Sequence, residues 1–189
     1  MHSPFRAVVF ALGFAIIGAV PAATLAAVTP SKVLTHSGKV RLDPKFKRQI
    51  VAYDTSEAAG TIVISTGEKF LFLILGAGKA MRYGIGTARD GFEWSGVHHI
   101  TRKAEWPGWT PPPEMKLRRP DLPDYMPGGI GNPLGARALY IGSTLYRIHG
   151  TNEPWTIGGD VSSGCIRMVN KDVEDLYDRV KIGAKVIVL

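Results

Sequence analysis

The sequence predicts a mainly β fold, a β-sandwich with one or two helices and a long proline-rich loop. Short runs of β-branched and aromatic residues, separated by glycine turns, fill residues 61–101 and 138–149; this spacing is typical of antiparallel strands. Helical spacing of apolar residues stands out in one stretch, residues 170–180. Hydrophobic residues make up 45% of the 189 residues, which suits one domain with a buried core.

The predicted strands are Thr61–Ser65, Phe70–Leu75, Ala80–Ile85, His98–Thr101, Ala138–Ile141, Leu145–His149 and Lys185–Leu189. In the Leu145–His149 strand, alternation puts Arg147 and His149 on one face and Ile148 on the other. Residues 27–59 are mixed and weakly periodic, which predicts an N-terminal extension packed on a domain of residues 60–189.

The helix is expected to be capped by Asn170 and stopped by Gly183. Asp175 and Arg179 lie one turn apart and are expected to pair. The apolar stripe, which predicts packing against the sheet, consists of Val173, Leu176, Tyr177 and Val180.

The stretch from Glu105 to Gly135 has a composition of its own. Eight of the thirteen prolines fall there, and proline removes the N–H that a central strand needs. A loop this long inside a compact domain is usually functional. We expect a semi-rigid flap over a cleft, with a packed surface loop as the alternative.

The first 26 residues are typical of a secretory signal peptide. Arg6 is the only formally charged residue before Lys32, and the apolar run Ala7–Val20 leads to small residues, with cleavage expected after Ala26. The run is shorter than the about 20 apolar residues of a membrane span. An uncleaved anchor is the alternative. The prediction is a periplasmic protein that meets the membrane only through this segment.

The net charge of +7 admits several anionic partners. Removal of residues 1–26 takes away one positive charge and leaves +6. Export and the scattered positive charge argue against a nucleic-acid partner. Solvated surface charge is the simpler interpretation, and attraction to anionic wall polymer is the alternative. The adjacent His98 and His99 point to opposite strand faces, so we expect no metal site, and no cofactor is indicated.

The single cysteine, Cys165, follows Ser162-Ser163-Gly164, and His149-Gly150 lies sixteen positions upstream. An exported chain with one thiol has no internal disulfide partner for it. A thiol, a nearby base and backbone amides turned toward the sulfur are what acyl transfer requires. An inert buried thiol and a satisfied core histidine are the alternatives.

At these residues the chain resembles the L,D-transpeptidase catalytic domain family (YkuD type), whose pattern is His-Gly, a spacer, and Ser/Thr-His-Gly-Cys. His149-Gly150 and Ser162-Ser163-Gly164-Cys165 match it, and the resemblance extends from about Gly60 to Leu189. Ser163 stands where the family usually has its second histidine. Arg167 replaces an asparagine often found there, although Cys-Ile-Arg is a familiar variant.

The resemblance implies roles for the matching residues. Cys165 is the expected nucleophile, His149 its base, and the carbonyl of Gly150 the group that orients the imidazole. The backbone amides of Ser163, Gly164 and Cys165 are the expected oxyanion hole, a role that a serine at position 163 preserves.

Three further residues are candidates for substrate binding. The Arg167 guanidinium suits a carboxylate, or else forms a structural ion pair with Asp160 or another acid. Asn152 and Trp155, in the spacer between His149 and Cys165, suit hydrogen bonding and stacking in a cleft, or a turn and packing.

The resemblance implies a peptidoglycan substrate, a thioester on Cys165, and transfer to a second stem peptide (a 3→3 cross-link) or to a wall-anchored protein. The residues alone indicate only acyl transfer by a thiol. Two alternatives remain, an L,D-carboxypeptidase that uses water and a peptidoglycan-binding module without turnover.

Overall fold

A computed structural model describes residues 33–34 and 40–189. The predicted signal peptide, residues 1–26, lies outside the described residues. The strands are β1 Val33–Leu34, β2 Val40–Arg41, β3 Gln49–Ala52, β4 Ile62–Ser65, β5 Phe70–Gly76, β6 Lys79–Gly84, β7 Thr87–Ala88, β8 Gly96–Glu105, β9 Arg137–Ile141, β10 Arg147–His149, β11 Asp160–Ser162, β12 Ile166–Arg167 and β13 Lys185–Val188. The helices are α1 Pro113–Arg118 and α2 Asn170–Arg179, with 3-10 turns at Pro44–Phe46 and Pro154–Thr156.

Nine strands form one continuous sheet in the order β12-β10-β9-β8-β13-β4-β5-β6-β3. The ten-residue strand β8 joins its two halves, because its first residues pair with β13 and its later residues, from Ile100 on, pair with β9. The ladder shifts register between Ile100 and Arg102, and such irregularities bend a strand. Most neighbours are antiparallel, but β13 runs parallel to β4 and β12 parallel to β10.

The main core lies between the two halves of the sheet. Its fully buried members come from both halves and from α2, and include Leu71, Tyr83, Leu139, Ile148 and Leu176. In β4 and β5 successive residues are buried on both faces: Ile64 and Leu71 belong to this core, whereas Val63 and Phe72 belong to a second, smaller cluster on the opposite face. The mainly β prediction with two helices is confirmed, and the Asp175–Arg179 pair is present, with Nε 3.0 Å from Oδ2.

The helix stripe packs as expected, but the predicted cap is wrong. Val169 occupies the N-cap position without a side-chain bond, and Asn170 is the first helical residue. Its side chain turns away from the helix and accepts bonds from the amides of Ala136 and Thr151, at 3.0 and 3.1 Å. The Asn170 side chain therefore accepts hydrogen bonds from two distant backbone amides instead of capping its own helix.

A strand also lies inside the stretch predicted as a weakly structured extension. β3 pairs with β6 and forms one edge of the sheet. Its residues are mostly exposed, so the apolar alternation that reveals a strand is missing. The preceding 3-10 turn buries Phe46, whose ring lies 5.6 Å from that of Phe70. The boundary at residue 60 stays a prediction.

The proline-rich segment contributes no strand to the sheet, as predicted, and contains the short helix α1. The backbones of Trp109 and Met126 exchange two hydrogen bonds of 2.8 Å, which closes the segment into a loop. Asn132 is 1% exposed, and its amide nitrogen donates to the carbonyls of Met126 and Pro127. The loop therefore has a fixed base.

In the described part of the chain no helix is long and apolar enough to cross a membrane.

Candidate active site

Strands β10 and β12 bring the His149 strand next to the end of the cysteine loop. Ile148 lies opposite Ile166 in the ladder, and His149 lies opposite Arg167. Both isoleucines are buried in the core, so His149 and Arg167 point to the other face. Cys165 comes one residue before β12, and by the same alternation we expect its side chain on the His149 side. Its side chain is partly accessible.

The loop that carries Cys165 is fixed at both ends. β11 before it runs alongside β7, and Arg167 after it exchanges two backbone hydrogen bonds with Gly86, of 2.8 and 2.9 Å. Inside the loop, the Ser162 hydroxyl donates to the Cys165 carbonyl at 2.6 Å and accepts from the Gly164 amide at 3.2 Å. The turn before the sulfur is therefore closed by one buried serine.

Gly164 occupies a position that only glycine fits. Its φ is +111°, in the region that side chains rarely adopt, and a Cβ there would collide with the Tyr146 ring. That ring stacks on Trp94 at 4.6 Å, and the Trp94 indole N–H donates to the Gly164 carbonyl at 2.6 Å. Trp94 and Tyr146 were missed by the sequence analysis, because their meeting with the loop depends on contacts between distant strands.

His149 is buried, at 5% exposure, and its Nδ1 lies 2.5 Å from the Gly150 carbonyl oxygen. A carbonyl only accepts hydrogen bonds, so Nδ1 carries the proton and Nε2 is left as the acceptor. Burial, together with the positive charge of Arg167, lowers the pKa of His149 to about 3. The imidazole is therefore neutral at physiological pH.

The three amides expected to form an oxyanion hole differ in their surroundings. The Gly164 amide is engaged by Ser162 Oγ. Within the described residues, the amides of Ser163 and Cys165 donate to no protein acceptor. These two are the donors available to a developing negative charge next to the sulfur.

The Ser163 side chain meets an arginine. Arg89 Nη2 donates to Ser163 Oγ at 3.0 Å, and the Arg89 amide donates to the Ser162 carbonyl at 3.0 Å. Ser163, at the position where the resembled family usually has a histidine, is thus hydrogen-bonded to the segment after β7. Arg89 is a residue that the sequence analysis did not single out.

Arg167 forms an ion pair, but not with Asp160. Its Nη1 lies 2.9 Å from Glu153 Oε2 and 3.1 Å from Thr156 Oγ1. Asp160 pairs instead with Lys69, at 2.6 Å. The structural alternative for Arg167 is therefore observed with a different acid. The ion pair bridges the spacer after His149 to the strand after Cys165.

The two spacer residues have different surroundings. Asn152 donates from its side-chain nitrogen to the Gly131 carbonyl at 3.0 Å, which links the spacer to the proline-rich segment. Trp155 lies in the 3-10 turn Pro154–Thr156 and is partly buried. Their role in substrate binding stays a prediction.

Asn170 forms hydrogen bonds with the backbone next to the His149 strand. Its Oδ1 receives the amides of Ala136 and Thr151, so it connects the start of β9 to the residue after Gly150. A Cβ at either Gly135 or Gly150 would collide with this oxygen. The asparagine thereby fixes the carbonyl that orients the imidazole.

A cleft of about 270 Å³ opens beside the cysteine loop. Trp94, Ala88 and Ile166 line it on the side of the loop, and Lys69, Asp160 and Glu93 contribute charged groups. Among the described residues, no group of three or more metal-binding side chains comes together. His98 packs against the edge of the Trp94 ring, with 5.3 Å between ring centroids.

Comparison with known proteins finds a family that matches this chain. A family model described as the L,D-transpeptidase catalytic domain (YkuD) matches residues 59–188. A probable L,D-transpeptidase ErfK/SrfK of Salmonella typhimurium is 34% identical over 163 residues, which are 82% of this chain and 51% of the relative. Its counterpart in Escherichia coli is 44% identical over 110 residues, which are 56% of this chain and 35% of the relative. The chain thus spans about a third to a half of the length of these relatives.

Two solved structures are also similar. A Brucella melitensis chain, titled a probable carnitine operon oxidoreductase, is 47% identical, with a TM-score of 0.53 over 78% of this chain and 96% of that one. L,D-transpeptidase 3 of Mycobacterium tuberculosis, in complex with a faropenem-derived adduct, is 21% identical, with a TM-score of 0.53 over 69% and 60% of the two chains. The second likeness bears on the fold alone. The Brucella title names an oxidoreductase, whereas the family model and the curated relatives name L,D-transpeptidases.

Proposed function

The chain belongs to the L,D-transpeptidase catalytic domain family, and from this premise we propose that it is an exported cysteine transpeptidase of peptidoglycan stem peptides. The observation that supports the proposal is the register of β10 against β12, in which His149 lies opposite Arg167, two residues after Cys165. The signal-like residues 1–26 support export to the periplasm. The substrate is taken from the family and from the curated relatives' names.

In the first half of the reaction, Cys165 Sγ attacks the carbonyl on the L-configured side of the third stem residue. The thiol proton passes to His149 Nε2, the S–C bond forms, and the C–N bond to the terminal D-alanine breaks. The proton then moves from His149 to the leaving amine. A thioester on Cys165 and free D-alanine result.

The carbonyl oxygen becomes negative in this step, and in the proposed mechanism the backbone amides of Ser163 and Cys165 stabilise it. The Gly164 amide, expected as a third donor, already bonds to Ser162 Oγ at 3.2 Å. In the proposed mechanism Gly164 therefore supplies its conformation, and its two neighbours supply the hydrogen bonds.

The low pKa of His149 indicates a neutral imidazole at rest, because burial disfavours the imidazolium form. His149 then acts as a general base at the moment of attack. Its Nδ1–H bond to the Gly150 carbonyl stabilises the imidazolium that forms transiently, as the third member does in other triads.

In the second half, an acceptor amine attacks the thioester. Its proton passes to His149 and on to the sulfur as the S–C bond breaks and the new amide forms. A second stem peptide gives a 3→3 cross-link, and a lysine of a wall-anchored protein gives attachment of that protein. Water in place of the amine gives L,D-carboxypeptidase activity.

Product analysis tests this proposal. The purified chain is incubated with a disaccharide tetrapeptide, and the products are identified by liquid chromatography and mass spectrometry. Transpeptidation predicts a dimer and free D-alanine, both absent with Cys165→Ala. Tripeptide and D-alanine without dimer would identify a carboxypeptidase. Intact tetrapeptide that still binds the protein would favour a binding module.

A further inference from the structure

Two arginines converge on one aromatic ring beside the cysteine loop. The guanidinium carbon of Arg89 lies 5.5 Å from the centroid of the Phe92 ring, and that of Arg118 lies 5.7 Å from the same centroid. Arg89 follows β7, whereas Arg118 ends α1 in the proline-rich segment. The Phe92 ring is 37% exposed. The cluster thus joins two distant parts of the chain at an accessible surface.

Neither guanidinium has an acidic partner within 4.0 Å in the described part of the chain. Some other described arginines are paired, such as Arg119 with Asp121 and Arg179 with Asp175, whereas Arg102 and Arg147, which share the Tyr140 ring, have no ion pair. The nearby Glu93 carboxylate accepts instead from the Gly91 amide at 2.7 Å. Two like charges near one ring repel each other, and a bound carboxylate relieves that repulsion while it accepts bidentate hydrogen bonds.

The cluster lies close to the proposed reaction centre. Arg89 Nη2 is 3.0 Å from Ser163 Oγ, and Ser163 precedes Cys165 by two residues, a span of at most about 7 Å. In the proposed donor, only one nitrogen and one carbon separate the scissile carbonyl from the terminal carboxylate. A group that binds this carboxylate must therefore lie close to the cysteine loop, which Arg89 contacts through Ser163.

We infer that Arg89 and Arg118, held on the Phe92 ring, bind the C-terminal carboxylate of the leaving residue of the donor peptide. This inference rests on the proposed function and adds a determinant of donor specificity to it. Ser163 contributes by orienting Arg89, a contact that the smaller serine provides where the family usually has histidine. The proline-rich segment then brings Arg118 to the donor when the peptide is bound.

The test separates binding from turnover by using Cys165→Ala throughout. Isothermal titration calorimetry compares a tetrapeptide with a free C-terminal carboxylate and the same peptide as its C-terminal amide. The acid is expected to bind about 10-fold more tightly than the amide. Arg89→Gln or Arg118→Gln is expected to reduce this preference several-fold by weakening the acid alone, and Arg89→Lys is expected to retain part of it.

Arg119→Gln is the matched control, because Arg119 is adjacent, exposed and paired with Asp121; it is expected to keep the full preference. An unchanged acid-to-amide ratio in both glutamine variants would overturn the inference, as would equal weakening of both peptides, or a Cys165→Ala protein that binds neither. Turnover of the tetrapeptide by the unmodified chain is measured separately. A failure of the transpeptidase proposal therefore appears as absent product while the carboxylate preference persists.

Discussion

At the scale of single residues, the candidate site contains several positions whose proposed role belongs to a backbone group and not to a side chain. Gly164 shapes the loop, Gly150 supplies the carbonyl bonded to His149, and Ser163 and Cys165 present their amides. Sequence alone indicated the glycines through the spacing of His-Gly and Gly-Cys. It did not indicate Trp94 or Tyr146, and it assigned Asn170 to the helix cap, because the observed contacts of all three join distant parts of the chain.

Replacing Gly164 by alanine tests the fit of the loop. The substitution forces a Cβ into the Tyr146 ring at a φ of +111°, a conformation that costs an L-residue about 1–2 kcal/mol before the ring has moved. We expect acylation by a carbapenem to slow by about 100-fold or more, measured by intact mass spectrometry over time. Gly67→Ala is the control, because a Cβ there meets nothing within 4 Å. Acylation of Gly164→Ala at the unmodified rate would refute the role of this glycine.

Asn170→Ala removes the acceptor of two backbone amides, those of Ala136 and Thr151. Partly buried donors without partners are costly, and we expect the free energy of unfolding in urea to fall by about 3 kcal/mol. Asn152→Ala loses one exposed bond and should cost less than about 1 kcal/mol. Similar losses for the two variants would contradict the central position given to Asn170.

His149 makes stability depend on pH. Its pKa is about 3 in the fold and about 6.5 in an unfolded chain, so the unfolded state binds the extra proton. The stabilising contribution is complete above pH 6.5 and is lost as pH falls toward 3. Between pH 7.5 and 5.5 the loss amounts to about 1.4 kcal/mol.

Asp172 acts in the opposite direction, because burial raises its pKa to about 6. Its contribution to the free energy of unfolding is present when the pH is below the ordinary pKa of an aspartate, and it is lost as the pH rises through 6. The quantity to measure is therefore the difference in the free energy of unfolding between the unmodified chain and His149→Gln. Both proteins contain Asp172, so its contribution cancels in this difference. That difference should shrink by about 1.4 kcal/mol from pH 7.5 to 5.5. A difference independent of pH would mean that His149 is not held neutral.

At the scale of elements, the proline-rich segment connects to the site by few but specific contacts. Its base is fixed by the Trp109–Met126 pair and Asn132, Asn152 donates to its Gly131 carbonyl, and Arg118 reaches the Phe92 ring. The prediction of a flap over the cleft is compatible with these contacts and stays a prediction.

The flap prediction is tested by replacing residues 111–124 with a short Gly-Ser linker. The Trp109–Met126 pair is retained, so the base and the fold should persist, with a melting temperature within a few degrees of that of the full chain. We expect kcat/KM for the tetrapeptide to fall by about 100-fold, since positioning of the donor is lost. A linker of equal composition inserted at Gly67, in the exposed β4–β5 turn, is the control. Full turnover by the deletion variant would end the flap prediction.

At the scale of the whole molecule, sequence patterns predicted what depends on local chemistry. Runs of β-branched and aromatic residues located β4, β5, β6 and β9, and helical spacing located α2, because these elements are long and bury apolar residues. β3 was missed because it is a mostly exposed edge strand, and β7, β11 and β12 are two or three residues long, too short for any period. The sequence left the acid that pairs with Arg167 open, as Asp160 or another, and only the tertiary structure identifies it as Glu153.

The same limit applies to the site. Spacing pointed to Cys165 and His149 as a pair, and the parallel β10–β12 ladder that sets His149 opposite Arg167 is a long-range pairing with no sequence signal of its own. The central claim is that Cys165 is a nucleophile and that His149 acts as its general base.

Intact mass spectrometry after incubation with a carbapenem tests this claim most directly. The account predicts one covalent adduct on the unmodified chain, none on Cys165→Ala, and formation at least about 100-fold slower on His149→Gln. No adduct on the unmodified chain, or an equal adduct on Cys165→Ala, would contradict it.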